Sequence, residues 1–342
     1  MMRKLVFSAL AMGAVALTSQ SAIAAKTPTL IVYSGVPQQQ AEAVLAEFSK
    51  QYKEPVKFNV VKKPDEALKA QLGIEERGGG AKADLLWITR PQAVFLQSKY
   101  PKMFATVESA HYDDMVAAMK TGNYKSVIPY GLLLYVIAYN TKAINPKEAP
   151  TSYADLINKK YDDKLVMADP RSSGAVQDVF WFITQHLAGK PGYGWDYFKN
   201  LNAEHPQYVS SHGTVRDLIL SGERPVGIQL SFYMHDPIMQ GDAAAWNWPA
   251  EGVVTDSQSV SVFENSKHKK IAKDVVDWML STQGQAAVSK IIGLAPVNTK
   301  AGFKFYDGKK VSDLKLVPVD GGYVSTHGVD FAQGFEKALQ GK

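Results

Sequence analysis

The 342-residue chain has no cysteine. This excludes disulfides, thiol catalysis, thiolate metal sites and a lipid-modified N-terminal cysteine. Long apolar runs are scarce too. The uncharged run over residues 5–17 falls short of the ~20 residues that a membrane span requires. Arg3 and Lys4 precede it and Ala22-Ile23-Ala24 follows it, the layout of a secretory leader cleaved after Ala24. A leader over residues 1–24 and a soluble, periplasmic mature chain are therefore expected, the core doing the stabilising that disulfides do elsewhere.

Neither sign of charge dominates. The net charge is +5, or +3 once Arg3 and Lys4 are gone, and the basic residues are scattered among acids. No nucleic-acid partner is implied, while a weak positive potential helps to attract an anionic solute. Catalytic signatures are missing as well: there is no Gly-x-Ser-x-Gly elbow and no His-Glu-x-x-His helix. Carboxylates pair only as sequence neighbours, Asp113-Asp114 and Asp162-Asp163, which read as solvated turns. The run Gly78-Gly79-Gly80 lacks a Gly-Lys-Ser/Thr ending and precedes a strand, so it reads as a turn and not as a phosphate loop. No enzyme, resident cofactor or metal is expected.

The remainder of the chain alternates. TLIVYSG, VKFNVVK and ADLLWIT read as strands, and QQQAEAVLAEFSKQY and PDEALKAQLGIEER between them carry helical spacing. A strand-helix-strand rhythm argues for a parallel sheet with crossover helices. The β-rich run YVIAYN then leads out of the first lobe, and VVTDSQSVSVF near 253–263 leads back. Between them lie a helix capped by Thr151 or Ser152, the strand KLVMADP, a helix opening after DPRSSGAVQD, and the strand VGIQLS. Two crossings place a cleft between two lobes, and such boundaries are favoured ligand sites. The expected division is 25–127 with 262–342 as lobe one and 128–261 as lobe two, each a mixed sheet flanked by helices.

Several residues are candidates for that cleft. Ser172, Ser173, Gly174 and Ala175 stand where a buried helix begins. Unpaired amides of a first turn carry the positive end of the helix dipole, Gly174 lets a ligand approach closely, and the serines add hydroxyl donors. Arg171 is placed to add charge-assisted bonds. An ordinary serine N-cap after an Asp169-Pro170 turn fits the same residues. Ser34 and Gly35 end the first strand, on the side of an open sheet where ligands gather. Thr89 and Arg90 end another strand; Arg90 suits a phosphate or a solvated surface. His212, in Ser-Ser-His-Gly-Thr, suits a hydroxyl-rich ligand. Gln229 and Ser231 share one face of VGIQLS, and Tyr233 follows. Asp217 can pair with Arg216 or with solvent. His235 and Asp236 are adjacent, with no third metal ligand evident. Trp246 and Trp248 are either an aromatic wall or packing under a loop, and Glu251 can face an ammonium, a sugar hydroxyl or solvent.

The motifs YSG, GGGAKADLLWI, YNTKAI, DPRSSGA and, most specifically, SGERPVGI give the chain a resemblance to the type II solute-binding proteins of bacterial ABC importers. The likeness is to the branch of ferric-iron-, hexose-phosphate- and phosphonate-binding proteins. It implies a two-lobed α/β fold with two hinge crossings, a monomer that closes on a small anionic ligand, and delivery to an inner-membrane permease. It also implies that Ser173-Gly174-Ala175 matches a turn that holds phosphate. Two adjacent tyrosines bind iron in the ferric relatives; here LSFYMHD offers Phe232 and Tyr233. The expected ligand is therefore a small phosphorylated organic molecule, a hexose phosphate first and a phosphonate second, bound by Ser34, Gly35, 172–175, His212, Gln229 and Tyr233. Ferric-ion binding and a secreted phosphate-ester hydrolase are the alternatives.

Overall fold

A computed structural model describes residues 27–341; the leader expected over 1–24 lies outside the described residues. Strands β1 (Thr29–Ser34), β2 (Lys57–Lys62) and β3 (Leu85–Thr89) are parallel, with β1 in the middle. Parallel neighbours cannot be joined by a tight turn, so helices α1 (Gln38–Gln51) and α2 (Asp65–Arg77) cross over between them. The apolar spacing selects the face each helix buries: Ala41, Val44, Leu45 and Phe48 on α1, and Leu68 and Leu72 on α2. Helix α3 (Arg90–Lys99) follows β3 directly, with Pro91 in its first turn, where a missing N–H costs nothing.

The lobes are tied by two long strands. All 13 residues of β4 (Ile128–Asn140) are buried, which is what a near-continuous apolar run covered on both faces should give. The second lobe is built on β5 (Leu165–Ala168), β6 (Gln207–Val209), β7 (Val226–Leu230) and β8 (Ala244–Asn247), and β9 (Val253–Val262) returns from it. The first half of β4 pairs with β9; the second half pairs with β7 and β8. Strand β9 also pairs with β3, so the path of the sheet is β2-β1-β3-β9-β4-β7-β5-β6.

Helices α4 (Gln177–Trp181), α5 (Trp195–Asn202), α6 (His212–Ser221) and α7 (Ser231–Met239) flank the second lobe, and α8 (Lys269–Leu280) and α9 (Thr282–Ile292) lie against β4, β9 and α1. A short β10 (Leu316–Pro318) pairs with β9 before the C-terminal helix α10 (Gly321–Leu339). No helix among the described residues is long and apolar enough to cross a membrane.

Local structure departs from the sequence reading in four places. The helix expected after Thr151 is a short 3-10 turn, Ala154–Ile157, because Asp155 bends back to accept from the Thr151 and Ser152 amides. Strand β7 stops at Leu230, and Ser231 opens α7 and does not alternate with Gln229. Helix α4 is five residues long and widens into a π turn at Phe182–His186. Helix α10, for which the sequence reading proposed no element, packs on α3 of the first lobe and on α4 and α5 of the second. It kinks at His327 (φ −111°, ψ 15°). Gly334 makes the second contact possible: a Cβ there would lie 2.3 Å from the Trp195 ring.

Candidate functional site

A cleft of about 930 Å³ opens between three walls. The first lobe supplies Asp65, Glu66 and Lys69 from α2, Thr89, and Gln92 from α3. The second supplies Arg171, Ser172, Gly174 and Ala175 and, one turn on, Gln177 and Asp178. Helix α10 supplies the third wall, from Val324 to Glu336, and Leu133 and Asp256 of the two long strands line the cleft as well.

The turn at 172–175 forms as it does because Asp169 organises it. The Asp169 carbonyl accepts from the Ser172 and Ser173 amides at 3.1 and 2.8 Å, and its carboxylate accepts from the Arg171 amide at 2.8 Å. Among the described residues, the main-chain N–H groups of Gly174, Ala175 and Val176 and the Ser173 hydroxyl then have no protein partner. A Cβ on Gly174 would meet nothing within 4 Å. Gly174 and Ala175 line the cleft, and their successive free amides form an anion nest there. The turn is braced from behind by the Tyr135 hydroxyl, which donates to the Ala175 carbonyl. Arg171 is held by Asp169 (Nε to Oδ1 2.9 Å), with Glu336 of α10 3.7 Å from its other nitrogen. Burial works to raise the Asp169 carboxyl, but the bonds from Arg171 outweigh it and hold it below the usual carboxylate range.

The other expected residues are distributed differently. Ser34 is fully buried, its Oγ donating to the Val36 carbonyl at 3.0 Å. Gly35 lies under Asp65: a Cβ would come 1.8 Å from Asp65 Oδ1, so only glycine admits the carboxylate that then accepts from Thr89 N and Oγ1 at 3.0 and 2.8 Å. Burial raises the Asp65 carboxyl above its usual range. His212 and Gln229 are both buried and bonded to each other, His212 Nδ1 to Gln229 Oε1 at 2.8 Å and Gln229 Nε2 to the His212 carbonyl at 2.6 Å. Burial pushes the His212 imidazole down to about 4. Tyr233 stacks on His212, with ring centres 5.9 Å apart. None of these three lines the cleft.

Arg90 is buried, not solvated, and donates to the Thr121 carbonyl at 2.6 Å and hydroxyl at 2.9 Å. Glu251 accepts from the Tyr193 hydroxyl at 2.6 Å, and Trp246 and Trp248 pack with Phe305. Arg216 pairs with Asp217 at the surface. His205 joins Asp162 and Asp163 at the surface, away from the residues that line the cleft.

Sequence reasoning missed Asp65, Asp178, Asp256 and the α10 wall. Asp65 stands in the helical stretch PDEALKAQLGIEER, where helical spacing alone gives it no role. Asp178 lies inside the stretch DPRSSGAVQD, and Asp256 is a lone acid in a buried strand. An acid at such a position is a signal in itself, since acidic side chains are rarely buried. Asp178 is 2% exposed and Asp256 4%. Burial and then the facing Asp256 charge push Asp178 well above the usual carboxyl range; burial likewise raises Asp256, against the pull of Arg90.

Comparison with known proteins agrees with this architecture. The sequence pattern of the bacterial extracellular solute-binding proteins matches residues 88–315. An uncharacterized protein of Haemophilus influenzae is 25% identical over 265 residues, 75% of this chain and 74% of that one. Iron-bound HitA of Pseudomonas aeruginosa superposes with a TM-score of 0.73 at 20% identity, covering 90% of this chain and 99% of that one. The periplasmic binding protein AfuA of Actinobacillus pleuropneumoniae, with fructose-6-phosphate bound, gives 0.68 at 21% identity, covering 92% and 98%. With a two-lobed α/β fold crossed twice by long strands, and with that pattern spanning most of its length, the chain belongs to the bacterial extracellular solute-binding proteins, the capture components of ABC importers.

Proposed function

We propose that this chain is a periplasmic, monomeric binding protein that closes its two lobes on a small organic phosphate or phosphonate and passes it to an inner-membrane permease. A hexose phosphate is the first candidate and a phosphonate the second. The observation that carries the reading is the pair of free amides at Gly174 and Ala175 on a wall of the cleft, with the free Ser173 hydroxyl beside them in the same turn. Phosphoryl oxygens held by neutral donors need no opposing cation, and such donors discriminate against neutral solutes because unfilled amides gain most from an anion. The proposed lobes are 25–127 with 262–342 and 128–261, hinged where β4 and β9 pass between them. Closure would bring Thr89 and Gln92 of one wall toward the nest on the other, contacts the open form lacks.

Two measurements test the reading. Native mass spectrometry of the purified protein, before and after denaturation, identifies any small molecule that accompanies it. Thermal shift with glucose 6-phosphate and with alkyl phosphonates tests the class. Ser173→Asp places a negative charge in the nest and is expected to abolish the shift; an undiminished shift removes this turn from the site.

A further inference from the structure

A second pocket, of about 510 Å³, lies beside the cleft. Helix α3, the segment before β4 that carries Thr121 and Gly122, and the start of α10 enclose it; Asp256 lines both spaces, and the turn at 172–175 is not part of the second. Two of its side chains are more than nine-tenths buried, Arg90 at 8% exposure and Gln97 at 9%. Arg90 Nη2 donates to Thr121, but Nε is buried with no partner and Nη1 has none either. The ion pairs among the described residues engage Arg171, Arg216 and Arg224 and not Arg90. The Gln97 side-chain amide makes no hydrogen bond among the described residues, and the main-chain N–H groups of Gly122 and Gly322, which also line the pocket, have no protein partner.

A guanidinium in this position is costly. Arginine is rarely buried unless it is paired, and Thr121 supplies neutral acceptors to one nitrogen only. Water can occupy the remaining N–H groups but leaves the desolvated charge uncompensated. Asp256 acts on Arg90 through its field, yet burial raises that carboxyl to about 7, so near neutral pH it offsets the charge only in part. Asp320, the other acid of the pocket, is exposed and turns Oδ1 to the Tyr323 amide at 2.9 Å. We propose that this pocket is a second anion site, in which Arg90, Gln97 and the Gly122 and Gly322 amides hold a small carboxylate or phosphate independently of the solute in the cleft. Guanidinium, carboxamide and main-chain N–H groups together supply the several converging donors, and the one charge, that an oxyanion requires.

Isothermal titration at constant ionic strength, with inorganic phosphate and with acetate, tests this. Ser173→Asp closes the nest in the cleft, so an anion that still binds that variant is held elsewhere. One site is expected to remain in it. Adding Gln97→Glu should weaken that site at least about 30-fold, because a carboxylate then faces the anion, and adding Arg90→Gln should do the same by removing the charge. Gln97 makes no hydrogen bond within the chain, so Gln97→Glu is expected to melt as its parent does; it decides the matter should Arg90→Gln fail to fold. Acetate binding without phosphate identifies a carboxylate as the occupant, and phosphate without acetate a phosphoryl group; either supports the site. Binding of neither anion to Ser173→Asp overturns the proposal and leaves the phosphoryl reading of the cleft standing. So does residual binding that persists undiminished when Gln97→Glu is added. Phosphate binding to the wild type that Gln97→Glu abolishes and Ser173→Asp leaves intact supports the second site and removes the nest.

Discussion

At the scale of single residues, the cleft and its surroundings are built from polar groups held under tension by burial. His212 illustrates the structural kind. Its ring is sandwiched near Tyr135 and Tyr233 and bonded to Gln229, and it stays neutral until about pH 4. In the unfolded chain the same imidazole takes up a proton near pH 6.5. Between those values the unfolded state binds more protons, so the stability present at neutral pH is lost as pH falls through that window, by up to about 3 kcal/mol. Urea midpoints from pH 7 to pH 4 should therefore fall less in His212→Gln than in the wild type; parallel curves would show that the ring is not buried neutral. Asp256 works in the opposite sense. Its folded carboxyl binds a proton more readily than the unfolded one, so its contribution worsens as pH rises above the ordinary carboxyl range. Asp256→Asn should accordingly raise the urea midpoint of the ligand-free protein at pH 7.5, and a lowered midpoint would show that Arg90 already compensates the charge.

At the scale of elements, glycine governs which pieces can meet. Gly227 of β7 faces β5 so closely that a Cβ would lie 2.6 Å from the Val166 carbonyl oxygen. Gly334 does the same for α10 and α5 through the Trp195 ring. Ala at Gly334 forces that ring or the helix to move, and should cost about 1–3 kcal/mol as overpacking does, read as a lower urea midpoint. Because α10 is one wall of the cleft, the same variant should weaken ligand binding several-fold even at temperatures where it remains folded. Unchanged affinity would mean that α10 lines the cleft without shaping it. The helix is anchored to the turn that forms the nest: Gln177 Nε2 donates to the Pro170 carbonyl at 3.0 Å and to the Gly328 carbonyl at 3.2 Å, beside the kink at His327. A helix that touches both lobes and bends between them can follow a change in their angle.

At the scale of the whole molecule, the crossing strands confine relative motion to a few main-chain positions. Strand β4 changes partners between Leu134, opposite Thr255, and Tyr135, opposite Leu230. Bending there lets each half-sheet stay intact, which is cheaper than breaking a ladder. Small-angle scattering should show the radius of gyration decreasing when a binding phosphoryl compound is added, with no decrease for Ser173→Asp. An unchanged radius on saturation would argue for a site formed within one lobe.

The alternation of strands and helices, the YVIAYN half of β4 and the return along β9 were legible because each is written in local periodicity and composition. The turn at 172–175 was legible because serine and glycine before an apolar run have few physical meanings. His212, Gln229 and Ser34 read equally well as ligand contacts or as satisfied interior groups, since a polar side chain near a strand end looks the same whether its partner is a solute or another residue of the chain. Only tertiary packing turned them inward. It also brought Asp178 and Asp256, 78 positions apart in sequence, to one floor, and laid α10 across both lobes. Those juxtapositions depend on how separate elements stack, and no window of neighbouring residues encodes them. Sequence by itself determined the architecture and one wall of the cleft; the tertiary structure alone decided which charges share it.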